Sequence, residues 1–563
     1  GFTDYNWNLK RAPEMREYCV QFRETHYDFT TRLLAEEGIY FYFQHEQGSH
    51  KLVMTDHANG GYDCKDNAVQ LLSNLSQPEV TDNLTGWHHQ YEFTSGKYSL
   101  TDYNFETPST SLLLNKNSLI SLKDNAKLEF YDFPGLFGQK GLGEALTKLR
   151  MEGEEARYDT VRGSSECRSF SPGGRFKVEQ HHNPGEKGGK WMLTSVKHSA
   201  TLGGNYLTGA SHSEEIYTNE FQCIPAETTY RPPFLARVGV EGIQSAVVVG
   251  PAGEEIYTDQ YGRIKVQFPW DRRGKKDDNS SFWIRVSQVH AGQGWGMMDL
   301  PRIGEEVLIS FLDGNPDRPI VTGRVYNGEN GVPFALPGEK TRRGNSTKTH
   351  KGDGFNEISM DDTAGVEQLR VNAQYDMNSN VNHDQTLDVG NNQTQTVGVD
   401  RKRDVGKNET VSVGVNRKMT VGTNHDETIG ANQTVNVGAN QTVTVGMMKS
   451  ETVALMSNEM VGVAKALEVG TAYSIVAGTN MSATVGGDSS ATIAKNSSES
   501  VGKKKTVTVA DEISIVCGKS KLIMKKDGSI LLEGKDIVIK GSGKITAKAS
   551  GDMVLKGSKI GQN

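Results

Sequence analysis

From Val389 onward a Val-Gly pair recurs every eight residues, at Val389-Gly390, Val397-Gly398, Val405-Gly406, Val413-Gly414 and Val421-Gly422, and the register runs to Cys517-Gly518. Nothing else in the chain restricts its fold as tightly. The span holds 17 octad starts; the first position is Val, Ile, Cys or Ala each time, and the second is Gly except at Ala454, Ala494 and Ala510. A short fixed period marks a unit that cannot enclose a core alone and must stack on others. The fourth position is Asn or Asp in 10 of the 16 complete octads, as at Asn392, Asn408 and Asn416. Gly and Asn tolerate positive φ, so Gly-x-Asn is expected to turn the chain.

The seventh position is apolar in 10 of 16 octads, including Val411, Met419, Val435 and Val443, while the sixth and eighth are mostly Thr, Ser, Lys or Asp. Positions seven and one therefore share a face at period two, giving a short strand with one buried side. Three such faces can make a triangular prism. If one chain coils alone, each octad advances roughly 1.6 Å; if three chains intertwine, each advances about 4.8 Å and the run spans about 80 Å. The polar fifth position (Gln393, Arg401, Glu409, Arg417, His425, Gln433) suits a narrow core and favours the intertwined needle.

A chain of 563 residues is too long for one core and implies several domains. Hydrophobic residues make up only 35%, while Gly contributes 62 positions, a balance that fits turn-rich β structure. The net charge of -7 argues against a nucleic-acid binder working by bulk charge. No run of about 18 apolar residues is present to span a bilayer. Cys19, Cys64, Cys167, Cys223 and Cys517 are scattered, without a CxxC pair, which argues against a disulfide framework or a cysteine zinc site. No cleavable secretion signal is read, and the opening Gly1-Phe2-Thr3 without methionine reads as a chain lacking its natural start.

Upstream of the octads, helices are expected over about Glu17 to Glu37 and about Leu142 to Arg157, where Leu146, Leu149 and Ala156 form an apolar stripe. Pro225, Pro232 and Pro233 mark a boundary. Beyond it, Ala246–Val249, Ile264–Phe268, Phe282–Val289, Glu306–Leu312 and Ile320–Val325 read as strands of a small five-stranded barrel. The segments GEEIYTDQYGRIKVQFPWD (253–271), PRIGEEVLISFLDGNPDRPI (301–320) and REYCVQFRETHYDFTTRLLAEEGIYFYF (16–43), with the Val-Gly octads, resemble the VgrG family, the valine–glycine repeat spike proteins of type VI secretion systems.

That resemblance implies a mainly β fold: a phage-hub-like β-barrel domain with a few helices over 1–230, incomplete at its start, an OB-fold-like barrel over 231–335, a connector over 336–365, and a trimeric needle of intertwined triple-stranded β-helix over 366–563. It implies a homotrimeric spike without cofactor, assembled in the bacterial cytoplasm and pushed through a target envelope by a contracting sheath. An Hcp tube would sit at the hub, a PAAR-repeat cone at the tip residues Ile560, Gly561, Gln562 and Asn563, and effectors with their adaptors would be carried non-covalently. Only about 35 residues lie between Asn330 and Gly365, too few for a lysozyme, and no effector enzyme is read after the needle, so no intrinsic catalysis is expected. A contractile phage or pyocin tail spike is the alternative, and a polysaccharide-degrading β-helix a more distant one.

Other candidate chemistry is thin. His88-His89 and His181-His182 are adjacent pairs, and strand neighbours point to opposite faces, so neither pair is expected to hold a metal. Gly331 to Thr341 has the wrong spacing for a phosphate loop, and Gly138 to Gly143 lacks the third glycine of a dinucleotide fingerprint. Arg401-Lys402-Arg403 and Lys503-Lys504-Lys505 read as solvated needle faces. One conflict stands out: inward position seven holds Arg403, Glu427, Glu451, Glu459 and Glu499. Local kinks could turn them outward, or they could pair with neighbouring layers, hold water or coordinate a cation.

Overall fold

The computed structural model describes residues 3–71, 82–201 and 216–561, and the chain divides into two units, Gly1–Thr396 and Val397–Asn563. In the first unit, Tyr5–Asn8 pairs parallel to Ser49–Thr55, which forms a hairpin with Tyr40–Glu46 through Gly48 at φ +80°. A six-stranded sheet follows in the order Tyr62–Gln70, Gly174–Gln180, Lys190–Thr201, Ile216–Pro225, Asp159–Ser165, Leu84–Tyr91. Its buried face gathers Val69, Leu84, Val161, Phe176, Leu193 and Phe221 into one core.

The helix expected over about Leu142 to Arg157 is present as Lys140–Glu155, burying Leu146 and Leu149 against Leu100 and Phe137. The other helix is half the expected length. It runs only from His26 to Glu36, because Thr25 and Asp28 form a capping box that fixes its start. Upstream, residues 17–24 form no helix, bend at 17 and 23–24, and lie against the small barrel. The Val20 N–H donates to Asp317 at 2.7 Å, Arg237 donates to the Val20 carbonyl at 3.2 Å, and Tyr18 packs on Phe282 with ring centroids 4.6 Å apart. These tertiary bonds override the helical pattern of the sequence.

The small barrel has a four-stranded sheet ordered Lys265–Gln267, Gln244–Val249, Glu306–Phe311, Pro319–Val325. The fifth expected strand, Phe282–Val289, is reduced to isolated bridges, Ile284 to Ile264 and Val286 to Val321. Those two bridges join opposite edges of the sheet and so close the ring. Ala246, Val248, Ile264, Val266, Ile284, Val307, Ile309 and Val321 fill it. The segment read as a connector, 336–365, is not featureless: Arg342–Ser346, Glu357–Asp361 and Gln368–Asn372 form an antiparallel three-stranded sheet.

Two buried polar clusters stiffen the hub. Arg32, 2% exposed, bonds Glu24 at 2.8 Å and Glu36 at 2.9 Å, joining the helix to the extended segment before it. His89 is clamped between Glu186, 2.6 Å from Nδ1, and Asp159, 2.6 Å from Nε2, while His88 lies exposed on the other side of the strand. Burial pulls the His89 pKa down, but the hydrogen bonds and charges of Glu186 and Asp159 outweigh it and leave the pKa raised. His181 and His182 stack on each other at 4.3 Å.

Two outcomes follow from these clusters. Arg32→Leu leaves the Glu24 carboxylate without its cation and Glu36 with Arg16 alone, and should cost about 3–5 kcal/mol in a denaturant titration of the full chain. The same change at the exposed Lys127–Asp124 pair should cost about 0–1 kcal/mol. A raised His89 pKa means that its contribution is complete below the unfolded value of about 6.5 and fades as pH rises through the folded value. The stability difference between the native chain and His89→Gln should therefore be largest at acidic pH and shrink towards pH 9; a pH-independent difference would mean the imidazole is not charged in the fold.

Candidate assembly surface

Alternation places Glu357 and Ser359 on one, buried, face of the 342–372 sheet, with Arg342 bonding Glu357 at 2.7 Å. The Ser359 hydroxyl above all, with help from the Arg342 guanidinium, outweighs desolvation and holds the Glu357 carboxyl below its ordinary range. On the other face, Ile358 sits across from Val371 and Met360 across from Leu369, and all four are exposed. An apolar strip of this kind on a regular sheet is a surface waiting for cover.

The octads follow directly. The chain bends at positions two and three of each repeat, from 390–391 to 510–511, and runs extended between bends. The same bends occur at 374–375 and 382–383, so two repeats beginning at Ala373 and Val381 precede the first Val-Gly pair. Sequence reading missed them because Gln374 and Asn382 stand where Gly is expected; the signal that could have found them is the fourth-position Asp376 and Asp384.

Between residues 373 and 511 the backbone forms no strand, no helix and no turn hydrogen bond within the chain. Each of those amides and carbonyls needs a partner once it leaves water, so an ordered needle requires strands from elsewhere. The glycines point the same way. They were expected to supply positive φ, yet none from Gly390 to Gly502 has it, and none of the described residues lies within 4 Å of where their Cβ would be. Neither local conformation nor crowding within one chain explains them, which leaves close approach of another backbone.

Even in a single chain the two faces differ. First-position Val397 is 44% exposed and seventh-position Val443 65%, whereas third-position Val399 is 90% exposed. Positions one and seven thus line the sheltered face. The five charged seventh positions are not kinked outward, since the bends keep their places through those repeats. Instead Arg403 bonds Glu409 at 2.7 Å, Glu459 bonds Lys465 and Glu499 bonds Lys505, each reaching across the bend to the fifth position of the next octad. Glu451 pairs within its own octad, with Lys449 at 3.6 Å. The two basic runs read as purely solvated faces therefore each contribute one residue, Arg403 or Lys505, to these pairs.

The octad series is also interrupted. Expected to continue through Cys517-Gly518, the chain instead folds Glu512–Cys517, Ser520–Lys525 and Ile530–Glu533 into an antiparallel meander turning at Gly518 and Gly528, both at positive φ. Bends return at 535–536, 542–543, 550–551 and 558. Of the expected tip residues, Ile560 and Gly561 are exposed, while Gln562 and Asn563 lie outside the described residues. Among the described residues no three His, Cys, Asp or Glu side chains gather to hold a metal ion, and no helix is long and apolar enough to cross a membrane.

Comparison with known proteins gives these segments relatives. The family described as phage tail baseplate hub (GPD) matches residues 1–204, the type VI secretion system/phage-baseplate injector OB domain matches 248–326, and the bacteriophage T4 gp5 C-terminal trimerisation domain matches 343–453. The last begins within the segment read as a connector. The type VI secretion system spike protein VgrG1b of Pseudomonas aeruginosa is 42% identical over 66% of this chain and 51% of its own length, and VgrG1a of the same organism is 39% identical over 66% and 58%. The actin cross-linking toxin VgrG1 of Vibrio cholerae is 35% identical over 67% of this chain and 34% of its own length. The chain spans about half the length of the Pseudomonas relatives it matches. The solved E. coli c3393 protein superposes with a TM-score of 0.37 at 20% identity, over 57% of this chain and 66% of that one. With a hub match, an injector-barrel match and a trimerisation match in order along one sequence, the chain is a homologue of the VgrG spike proteins of type VI secretion systems.

Proposed function

We propose that the chain is the homotrimeric, cell-puncturing spike of a type VI secretion system, acting by transmitted force and not by chemistry. The observation that carries this reading is the octad run: its backbone is unpaired within one chain, its glycines are required by nothing in that chain, and much of it matches a trimerisation domain. Three such faces close a slender prism whose outside is Thr, Ser, Asn, Lys and Asp. That surface does not partition into a bilayer, so the needle has to be driven in from behind.

The hub would receive the push from an Hcp tube, and the whole would leave the cytoplasm through the machine itself. A PAAR-repeat cone would dock around Ile560, Gly561, Gln562 and Asn563, as the resemblance to the spike family implies. Effectors would ride non-covalently. A contractile phage tail spike is mechanically the same object, and two of the three family matches carry phage names; the curated relatives favour the secretion machine.

Light scattering should return three times the chain mass of 61.7 kDa; a stable monomer would sink the proposal. Val443→Asp sets three charges on the needle core and should cost several kcal/mol per trimer, whereas Thr442→Asp on the outer face should be nearly neutral. Equal losses in thermal melts would mean the face assignment is wrong. Deleting Lys556 to Asn563 should leave the trimer intact and abolish cone capture in a pull-down; unchanged capture would move the docking site elsewhere.

A further inference from the structure

The repeat creates a problem of its own. In an intertwined prism every octad occupies an equivalent slot, so one chain can advance along its own path by an octad and still meet a backbone partner at nearly every position. Val would still face Val. Hydrophobic pattern alone therefore specifies the prism without specifying which octad of one chain lies beside which octad of the next, as in any weakly marked repeat of strands.

The ion pairs Arg403–Glu409, Glu459–Lys465 and Glu499–Lys505 break that degeneracy. All three share one geometry, from position seven across the bend to position five of the next octad, on the face that positions one and seven line. Their spacing is irregular: the second lies seven octads beyond the first, and the third five octads beyond the second. No slip of one to four octads brings any pair of one chain level with a different pair of its neighbours. A slip of five sets Glu459 level with Glu499 and a slip of seven sets Arg403 level with Glu459, but either leaves the remaining pairs without a counterpart.

We propose that these three pairs are register marks, which hold three copies of this chain level with one another in the needle. The proposal rests on the trimeric reading above. In register, each pair meets its two copies and forms a layer of three cations and three anions that can share hydrogen bonds. Slipped forward by one octad, Glu459 would stand beside Leu467 of its neighbours and Lys465 beside Tyr473. Slipped back by one, Glu459 would meet Glu451, a like charge. A charge set in an apolar layer loses hydration without gaining a partner, so both slips are disfavoured. A single buried polar residue fixes register in coiled coils by the same physics.

The test uses the full chain with one spin label at Lys495→Cys, an outward third position, in a Cys19→Ser, Cys517→Ser background; the other cysteines are buried. In the neutral variant, Arg403→Val, Glu459→Val and Glu499→Val are combined with Glu409→Gln, Lys465→Gln and Lys505→Gln. Val and Gln already fill these positions at Gln433, Val435, Gln441 and Val443, so the prism is retained. In the reversed variant each pair exchanges its two residues.

All three proteins should have trimer mass. Pulsed electron spin resonance should give one inter-label distance for the native sequence and for the reversed variant. The neutral variant should add further distances, since a slip of one octad moves a label about 4.8 Å along the axis and to another face. A single distance in the neutral variant would overturn the proposal and leave register to the hub. Several distances in the reversed variant would also overturn it. A monomer mass for the native chain would instead remove the trimeric reading beneath it.

Discussion

Backbone hydrogen bonding governs this molecule. Over some 140 residues the chain is extended and bent at regular intervals, yet makes no backbone bond to itself. A stretch of that kind cannot persist as a dry structure alone, because each unpaired buried amide or carbonyl forfeits a hydrogen bond that water would have supplied. Other features fall into place once the missing partners are taken to be further copies. The sheltered apolar face, the uncrowded glycines and the uncovered Ile358, Met360, Leu369 and Val371 strip are then parts of one unfinished surface.

The two units satisfy their polar groups by contrasting routes. In the hub, buried charges are closed locally: Arg32 between two glutamates, His89 between a glutamate and an aspartate, Arg237 between Asp317, Asn315 and a carbonyl. Such clusters fix side-chain positions and make the hub a firm base. In the octads, charge is spaced far apart and bridged only across bends. The base is specified residue by residue, and the needle by repetition with rare exceptions.

What could be read in the sequence follows the same division. The octads were legible because period and composition are local; even the two unmarked repeats at Ala373 and Val381 announce themselves through Asp376 and Asp384 once the spacing is known. The barrel strands were legible for the same reason. The helix expected from Glu17 begins only at His26 because a bond from Val20 to Asp317, almost 300 residues away, ties the segment before it to the small barrel. The His89 clamp was invisible because Asp159 and Glu186 lie 70 and 97 residues off. Charged seventh positions looked like errors of pattern, since their partners stand six residues on, at a spacing that matches neither strand nor helix. The meander at Glu512–Glu533 turns at Gly518, where the octads place a glycine, but turns again at Gly528 and pairs its strands within the chain, which a repeat template had no reason to demand.

That meander has a kinetic consequence. Its three strands are joined by tight turns and complete their pairing within one chain. Such hairpins close in about 1–10 μs, without waiting for an encounter between molecules. The octads on either side have no such option, and their ordering depends on collision and hence on concentration. A newly made chain can therefore carry a finished marker beside octads that are still unpaired. Association that begins between folded meanders would spread from them into the neighbouring octads, in place of a simultaneous three-body search along the whole run.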